Sequence, residues 1–523
     1  MAGKWPETPL GELVQNFDSR RVPISSRERE KRHGEFPYYG ATGIIDYVDD
    51  YLFEGLHLLV AEDGSVERPD GKPFLQLVDG RFWVNNHAHV LRGATDEDTK
   101  FIYYALSTVA VRPYMSGSVQ AKLSQGNLNR IRTAYPTSAT DRRAIAHILG
   151  TLDDKIELNR RMSETLEAIA RALFKSWFVD FDPVRAKAAC LPAGRKAAVA
   201  PAWPKQGQWC VYALECEDGS FYIGHTEHLD RRFDEHSKGK GANWTKRHPP
   251  KRVAYWEVQP TQAAAVEREK KLKTGSGCEW LKLEIARRDL EARGLPQPPC
   301  LPDRQVADLF PARLVDSELG EIPEGWDVGT LGDVAEHPRR GVRPEQIEAE
   351  TPYIALEHMP KQCIALSDWG TGDGLESNKF EFKRGEILFG KLRPYFHKVG
   401  IAPVDGVCST DIVVVVPRSD SWFGFTLSHV SSTEFVGYTN AGSTGTKMPR
   451  TNWTDMARYE VVLPPEPVAE AFTQRVQPSV DRIIAGTHEC RTLAALRNTL
   501  LPKLISGELR VEDADTFMER VAS

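Results

Sequence analysis

Two stretches of the chain carry the apolar spacing of three and four that marks one face of a long helix. Ile145, Leu149, Leu152, Ile156, Leu166 and Leu173 form one stripe, and Phe472, Val476, Ile483, Leu493 and Leu500 form the other. The two stretches are copies at a gap-free offset of 327 residues: Asp154-Lys-Ile156 falls on Asp481-Arg-Ile483, and Leu166, Ile169, Leu173 and Phe174 fall on Leu493, Leu496, Leu500 and Leu501. At 1.5 Å per residue, a helix over 139–178 is ~60 Å long. That is too long for a lone surface helix and suits pairing with its counterpart over 466–510 as an antiparallel coiled coil. Two unrelated bundle helices are the alternative. Gly150, Pro478 and Gly486 count against ideal helices, because each costs helix stability.

Ahead of each helix the repeat continues with small shifts. Ser118-x-x-x-Lys122-x-x-x-x-Asn127 matches Ser443-x-x-x-Lys447-x-x-x-x-Asn452, and each runs into a short apolar strand ending at Pro136 or Pro464. Regions 1–138 and 315–465 hold short strand-like runs punctuated by Gly, Pro and Asp: Leu56-His-Leu-Leu-Val-Ala61 and Arg81-Phe-Trp-Val84 in one, Glu386-Ile-Leu-Phe389 and Ile412-Val-Val-Val-Val416 in the other. They read as duplicated, mainly β domains. Pro/Ala-rich tracts over 183–206 and 295–314 have linker composition and enclose an insert over 207–294. The insert reads strand (from Trp209), turn, strand (Phe221-Tyr-Ile223), helix (from Leu229), basic loop, strand (from Arg252) and helix (from Ala263). The predicted fold class is therefore α+β multidomain: two mainly β domains, each followed by a long helix (139–182 and 466–510), with a small inserted α/β module and a tail over 511–523.

Composition narrows the picture. The 523 residues include 67 Lys+Arg against 73 Asp+Glu, a net charge of -6, which excludes a uniformly basic nucleic-acid coat and leaves only local basic contacts. Apolar runs such as that over 412–416 fall far short of the ~18 to 20 residues that span a bilayer. The start carries no apolar leader segment, and the eight cysteines are scattered with no CxxC. A reducing cytoplasm is expected, with no zinc site.

The insert concentrates the chemistry. Tyr212 and Tyr222 sit on paired strands where period-two alternation lets both project from one face; Arg232 and His236 follow on a helix, and Glu269 on another. Phosphodiester hydrolysis needs a proton acceptor, a cation for the phosphate oxygens and a held divalent ion. Tyr with His, Arg and Glu supply those three. The set Cys210-Val-Tyr212, Tyr222-Ile-Gly224, Arg232, His236 and Glu269 resembles the GIY-YIG nucleases, particularly their small bacterial single-domain members. The resemblance implies one-metal hydrolysis with Tyr212, Tyr222, Arg232 and His236 as catalytic residues and Glu269 as the Mg²⁺ ligand. Two departures stand out: the first motif lacks its glycine and isoleucine, and Glu267 lies two residues from Glu269, whose spacing to Lys273 favours the latter. Lys240, Asn243, Lys246 and Arg247 interleave with Trp244 as a nucleic-acid loop does; a solvated loop is the alternative.

The framework also resembles a family, the specificity subunit of type I restriction-modification systems. The resemblance rests on Asp154-Lys-Ile-Glu-Leu-Asn159, Phe174-Lys-Ser-Trp-Phe178-Val-Asp-Phe-Asp-Pro183, the run from Val315 to Trp326, Leu388-Phe-Gly-Lys391-Leu-Arg393-Pro-Tyr395 and Leu501-Pro-Lys-Leu-Ile-Ser-Gly507. It implies two target-recognition domains, each reading half of a bipartite double-stranded DNA site, held apart by the helices as a ruler. Candidate DNA contacts are Lys122 and Asn127 with their repeat mates Lys447 and Asn452, plus Lys391, Arg393 and Lys398; His87 and His89 are either contacts or core residues. No GxxxxGK[ST] loop and no methyl-donor motif occurs, so methyltransferase and motor/restriction subunits would be partners. On this reading the framework is non-catalytic and the insert is an endonuclease. A pure binding subunit with an inactive insert, or a stand-alone site-specific endonuclease, are the alternatives.

Overall fold

The computed structural model describes residues 5–117, 121–190, 204, 207–218, 220–273, 281, 285, 304–443 and 448–511, and the chain divides into two compact units. Lys447 lies outside the described residues.

The first unit comprises Met1–Thr165, Ala365–Ser367 and Arg482–Ser523. Its centre is the strand His57–Ala61, buried at every position. This strand pairs antiparallel with Ala88–Arg92 on one side and Leu75–Val78 on the other. A second sheet of four strands, with His33–Tyr39 parallel to Arg81–Val84, packs Phe53, Phe82 and Val84 against Leu59 and Val90. Strand Glu7–Pro9 closes the domain by pairing with Arg132–Ala134. The helix Asp96–Leu106 is capped by Thr95 and contributes Phe101 and Tyr104 to a cluster with Ile145, Leu149, Leu152, Leu500 and Leu504. In this unit the contacts between the two long helices run in opposite chain directions: Asp153 to Arg497 (2.6 Å), Lys155 to Glu489 (3.2 Å) and Met162 to Arg482 (3.3 Å).

The second unit, Leu166–Ile364 with Asp368–Asp481, contains the second β domain and the insert. The β domain repeats the frame of the first. Asp327–Thr330 leads into a short helix and is closed by Glu460–Leu463, while Ile387–Gly390 pairs with Ile412–Pro417 and Val399–Ile401 at the centre. The end of the first long helix buries Trp177 and Phe178 among Phe310, Trp326, Phe425 and Phe472, with ring centroids of Phe178 and Phe472 4.9 Å apart and edge to face. Each such pair is worth ~0.5–1.5 kcal/mol beyond its buried area, which accounts for the aromatic richness of that segment.

The long helices are Ala139–Phe178 and Glu466–Ser506, and both run unbroken through the unfavourable residues. Pro478 costs about 3 kcal/mol in a helix interior. Val476 and Val480, 2% and 1% exposed on either side of it, recover ~1.5–3 kcal/mol each by burial, so packing outweighs the proline.

The structure moves the repeat register by three residues. Lys122 forms an isolated bridge to Asp63, just past strand His57–Ala61; the residue bridged to Leu392, just past Ile387–Gly390, is Arg450. Likewise Ser124 caps Gln125–Arg130 and Asn452 caps Trp453–Ala457. Lys122 therefore corresponds to Arg450, not Lys447, and Asn452 corresponds to Ser124, not Asn127. Side-chain identity guided the sequence match, whereas the ladder and the caps set the fold's register.

Candidate active site in the inserted domain

The insert is a three-stranded antiparallel sheet with Cys210–Cys216 at its centre, flanked by Phe221–Thr226 and Pro250–Val258. Tyr212 pairs with Gly224 and Leu214 with Tyr222, so period two puts both tyrosines on one face. That face packs under the helix Leu229–Ser237 through Leu229 and Phe233. Gly224 is required there: a Cβ at this position would sit 2.7 Å from the Tyr212 hydroxyl oxygen.

Tyr212 is 1% exposed, and its hydroxyl lies 3.0 Å from His236 Nε2. Tyr222 is half-buried, its ring centroid 4.8 Å from that of His236. Burial pushes the Tyr212 phenol up, with a hydrogen bond from Arg232 acting the other way. Burial and the charge of Arg232 hold the His236 imidazole down to about 4, so it is neutral near pH 7. Arg232 is one-third exposed and donates to Glu235 at 2.8 Å. The geometry thus brings Tyr212, Tyr222, Arg232 and His236 together.

Glu269 spends its hydrogen bonds outside that group, but its charge reaches Tyr212 and adds to the rise of the phenol. It lies on the helix Gln262–Leu272, which covers the other sheet face, and its carboxylate accepts from His225 Nδ1 and from Lys273 Nζ. Burial pushes the carboxyl up, but Lys273 and His225 outweigh it and hold Glu269 below the usual carboxylate range. Glu267 is exposed on the outer side of the same helix. His225 escaped the sequence reading; its signal is the position directly after Gly224, where alternation turns it toward the second helix.

The basic segment is not a plain loop. Asn243–Arg247 is a short helix on which Asn243, Lys246 and Arg247 are exposed, as is Lys240 before it, while Thr245 is buried against His236 Nδ1 at 2.6 Å. Trp244 is 49% exposed and stacks on His248 at 4.4 Å.

The candidate DNA contacts of the β domains are scattered. Lys122 pairs with Glu62 at 2.9 Å, and Asn127 is half-buried on its short helix. Lys391 is half-buried, Arg393 has a positive φ of 52° and a buried Nε without a hydrogen-bond partner, and Lys398 donates to the Leu356 carbonyl. Asn452 uses its side chain as a helix cap. His89 is a core residue, 1% exposed, between Asp18 (2.5 Å) and the Leu123 carbonyl (2.7 Å); His87 is partly exposed beside Asp63 at 2.6 Å. Asp18, Glu62 and His89 present ligand atoms within 4.8 Å of one another, but Arg21 and Lys122 already place two cations on the carboxylates. That makes the cluster an ion-pair network.

Residues 3–168 match the type I restriction modification DNA specificity domain, and residues 208–277 match the GIY-YIG catalytic domain. A type I restriction enzyme specificity subunit from Haemophilus influenzae is 37% identical over 128 residues, covering 24% of this chain and only 32% of that relative's length. The MjaIX specificity subunit of Methanocaldococcus jannaschii is 22% identical, over 98% of this chain and 97% of its own. A UPF0213 protein of Staphylococcus saprophyticus is 37% identical over 73 residues, 14% of this chain and 89% of that protein. Residues 3–168 thus carry a type I restriction modification DNA specificity domain and residues 208–277 a GIY-YIG domain, in a chain that is similar over nearly its whole length to a type I specificity subunit.

Proposed function

We propose that the chain recognises a bipartite double-stranded DNA site and that its insert hydrolyses a phosphodiester bond. Target-recognition domains over 1–138 and 315–465 read one half-site each, and the long helices over 139–182 and 466–510, paired as an antiparallel coiled coil, set the spacing. Linkers over 183–206 and 295–314 flank the nuclease domain over 207–294. The reading implies methyltransferase and motor/restriction subunits as partners, the helices as their docking surface, and a cytoplasmic site of action; among the described residues no helix is long and apolar enough to cross a membrane.

The observation that carries the catalytic reading is the Tyr212 hydroxyl held between His236 and Arg232. A buried phenol hydrogen-bonded to a neutral imidazole can take a proton from attacking water while passing its own to Nε2. Tyr222 lines the approach, and Arg232 is placed to neutralise charge on the phosphate oxygens. Glu269 offers one ionised carboxylate, the donor set of an ion that keeps several waters and takes a single carboxylate plus substrate phosphate, as Mg²⁺ does. Bound there, such an ion supplies Lewis-acid stabilisation of the leaving oxygen. Lys273 and His225 must release the carboxylate first.

The test is nicking of plasmid DNA by the purified chain with Mg²⁺, beside Tyr222→Phe and Glu269→Ala variants that still bind DNA. Loss of metal-dependent nicking by about 10²- to 10⁴-fold in both supports the proposal. A wild-type chain that fails to nick, alone and with its partner subunits, leaves the insert as a binding module.

A further inference from the structure

The segment Gly241-Ala-Asn-Trp-Thr245, which composition presents as part of a nucleic-acid loop, turns two of its residues inward onto His236. Gly241 leaves room for the imidazole: a Cβ there would lie 2.2 Å from Nδ1. Thr245, 2% exposed, places Oγ1 2.6 Å from Nδ1 and 3.0 Å from the Ala242 carbonyl oxygen.

These distances allow one complete assignment of protons. A carbonyl can only accept, so the single hydroxyl proton of Thr245 goes to Ala242, and Oγ1 is left to accept from His236 Nδ1–H. A neutral imidazole protonated at Nδ1 has a bare Nε2, which accepts the Tyr212 hydroxyl proton at 3.0 Å. Arg232 then donates to the same phenol oxygen. The reverse assignment, with Thr245 donating to Nδ1 and Nε2–H pointing at Tyr212, leaves the buried phenol proton with no acceptor among the described residues. A buried hydroxyl left without an acceptor is disfavoured, because its lost hydration goes uncompensated.

We infer that Thr245 is a positioning residue that fixes the Nδ1–H tautomer of His236 and thereby makes Nε2 the acceptor of the Tyr212 proton. The inference rests on the nuclease reading for its consequence, but the tautomer itself is independent of any activity. A third group that orients a catalytic histidine through its far nitrogen is a general device; here a threonine anchored on a backbone carbonyl does the work of the more usual carboxylate.

The test is made on the full chain labelled with [15N]histidine, with His236 assigned by loss of its signals in His236→Gln. At pH 7.5 the wild type is expected to show one protonated nitrogen, Nδ1, and one bare nitrogen, Nε2. Thr245→Val, close in shape but without donor or acceptor, should move His236 to the other tautomer or to a mixture. It should also lower plasmid nicking with Mg²⁺ about 10- to 100-fold, with unchanged circular dichroism; Thr245→Ser should retain both properties. An Nε2–H tautomer in the wild type, or signals unmoved in Thr245→Val, overturns the inference. Absence of nicking by the wild type removes the nuclease reading alone, since the nitrogen signals still decide the role of Thr245.

Discussion

The two β domains share a frame and differ in what they bury at its centre. In the first, strand His57–Ala61 ends with Ala61 paired to Ala88, one step before Val60 meets His89; in the second, Gly390 pairs with Ile412, one step before Phe389 meets Val413. Where the first half buries a histidine, the second buries a valine, 1% and 3% exposed. The next positions differ in the same way. The main chain of Leu123 reaches back to Glu62, and that of Thr451 to Lys391, so a carboxylate in one half corresponds to an ammonium in the other. Ladders and caps survived duplication because they satisfy backbone groups that every copy must satisfy. Side chains at the ends of the central strands meet no such shared demand, and there the two halves differ.

The largest effect that would sharpen this contrast is on stability. Asp18, His89, Arg21 and Glu62 form a nearly buried charge network, and removing one member leaves the others uncompensated. His89→Val, which copies the second half, should destabilise the first unit by about 1–3 kcal/mol, because it strips the Asp18 carboxylate and the Leu123 carbonyl of a hydrogen-bond partner, read as the shift of its unfolding transition in urea. Asp18→Asn combined with His89→Val should recover part of that loss, because the position no longer buries a carboxylate that lacks its His89 hydrogen bond. A single His89→Val variant as stable as wild type would mean that the network contributes nothing beyond packing.

A smaller effect follows with pH. Burial raises the Asp18 carboxyl, but the hydrogen bond to His89 and the surrounding charges outweigh it and leave it below its ordinary 3.8. A depressed carboxyl adds stability that is present above the unfolded value and is lost as pH falls through the folded one. The wild type should therefore lose stability below about pH 4 more steeply than Asp18→Asn, measured as thermal midpoints between pH 6 and pH 3. Parallel curves would place Asp18 outside the linkage.

Much of this was legible in the chain. Helical spacing located Ala139–Phe178 at both ends, because burial on one face imposes a period, while short apolar runs bounded by turn residues located Arg81–Val84 and the strands of the insert, whose central strand is buried on both faces. Pro478 misled because propensity is local while the burial of Val476 and Val480 is tertiary. The segment over 238–248 misled differently: composition says that a stretch is basic and aromatic, but not that Thr245 turns inward as Lys246 and Arg247 turn outward. Glu269 was placed by spacing, yet its partner His225 needed the register of two strands to be seen. Asn452-x-x-Asp455 was readable as a cap from its residue types alone, and its likeness to Asn127 drew the repeat three residues out of register.

That cap supplies the smallest and most discriminating test of the comparison. Asn452 accepts from the Asp455 amide at 3.0 Å and donates to the Asp455 carboxylate at 2.6 Å, whereas Ser124 accepts from the Asn127 amide at a longer 3.3 Å. Asn452→Ala should cost about 1 kcal/mol and Ser124→Ala somewhat less, both read from urea unfolding of the full chain. The DNA role of Asn452 needs a substitution that keeps the cap, and serine at 452 is the one the first half already uses. Asn452→Ser should hold stability within a few tenths of a kcal/mol. If Asn452 acts only as a cap, the affinity for cognate DNA should also hold. If its amide reads a base edge, cognate affinity should fall about 10-fold or more, the ~1–3 kcal/mol of a lost bidentate contact, while non-specific affinity stays put. The first outcome would assign the corresponding positions of both halves to the shared frame; the second would show that one half turned a cap into a contact.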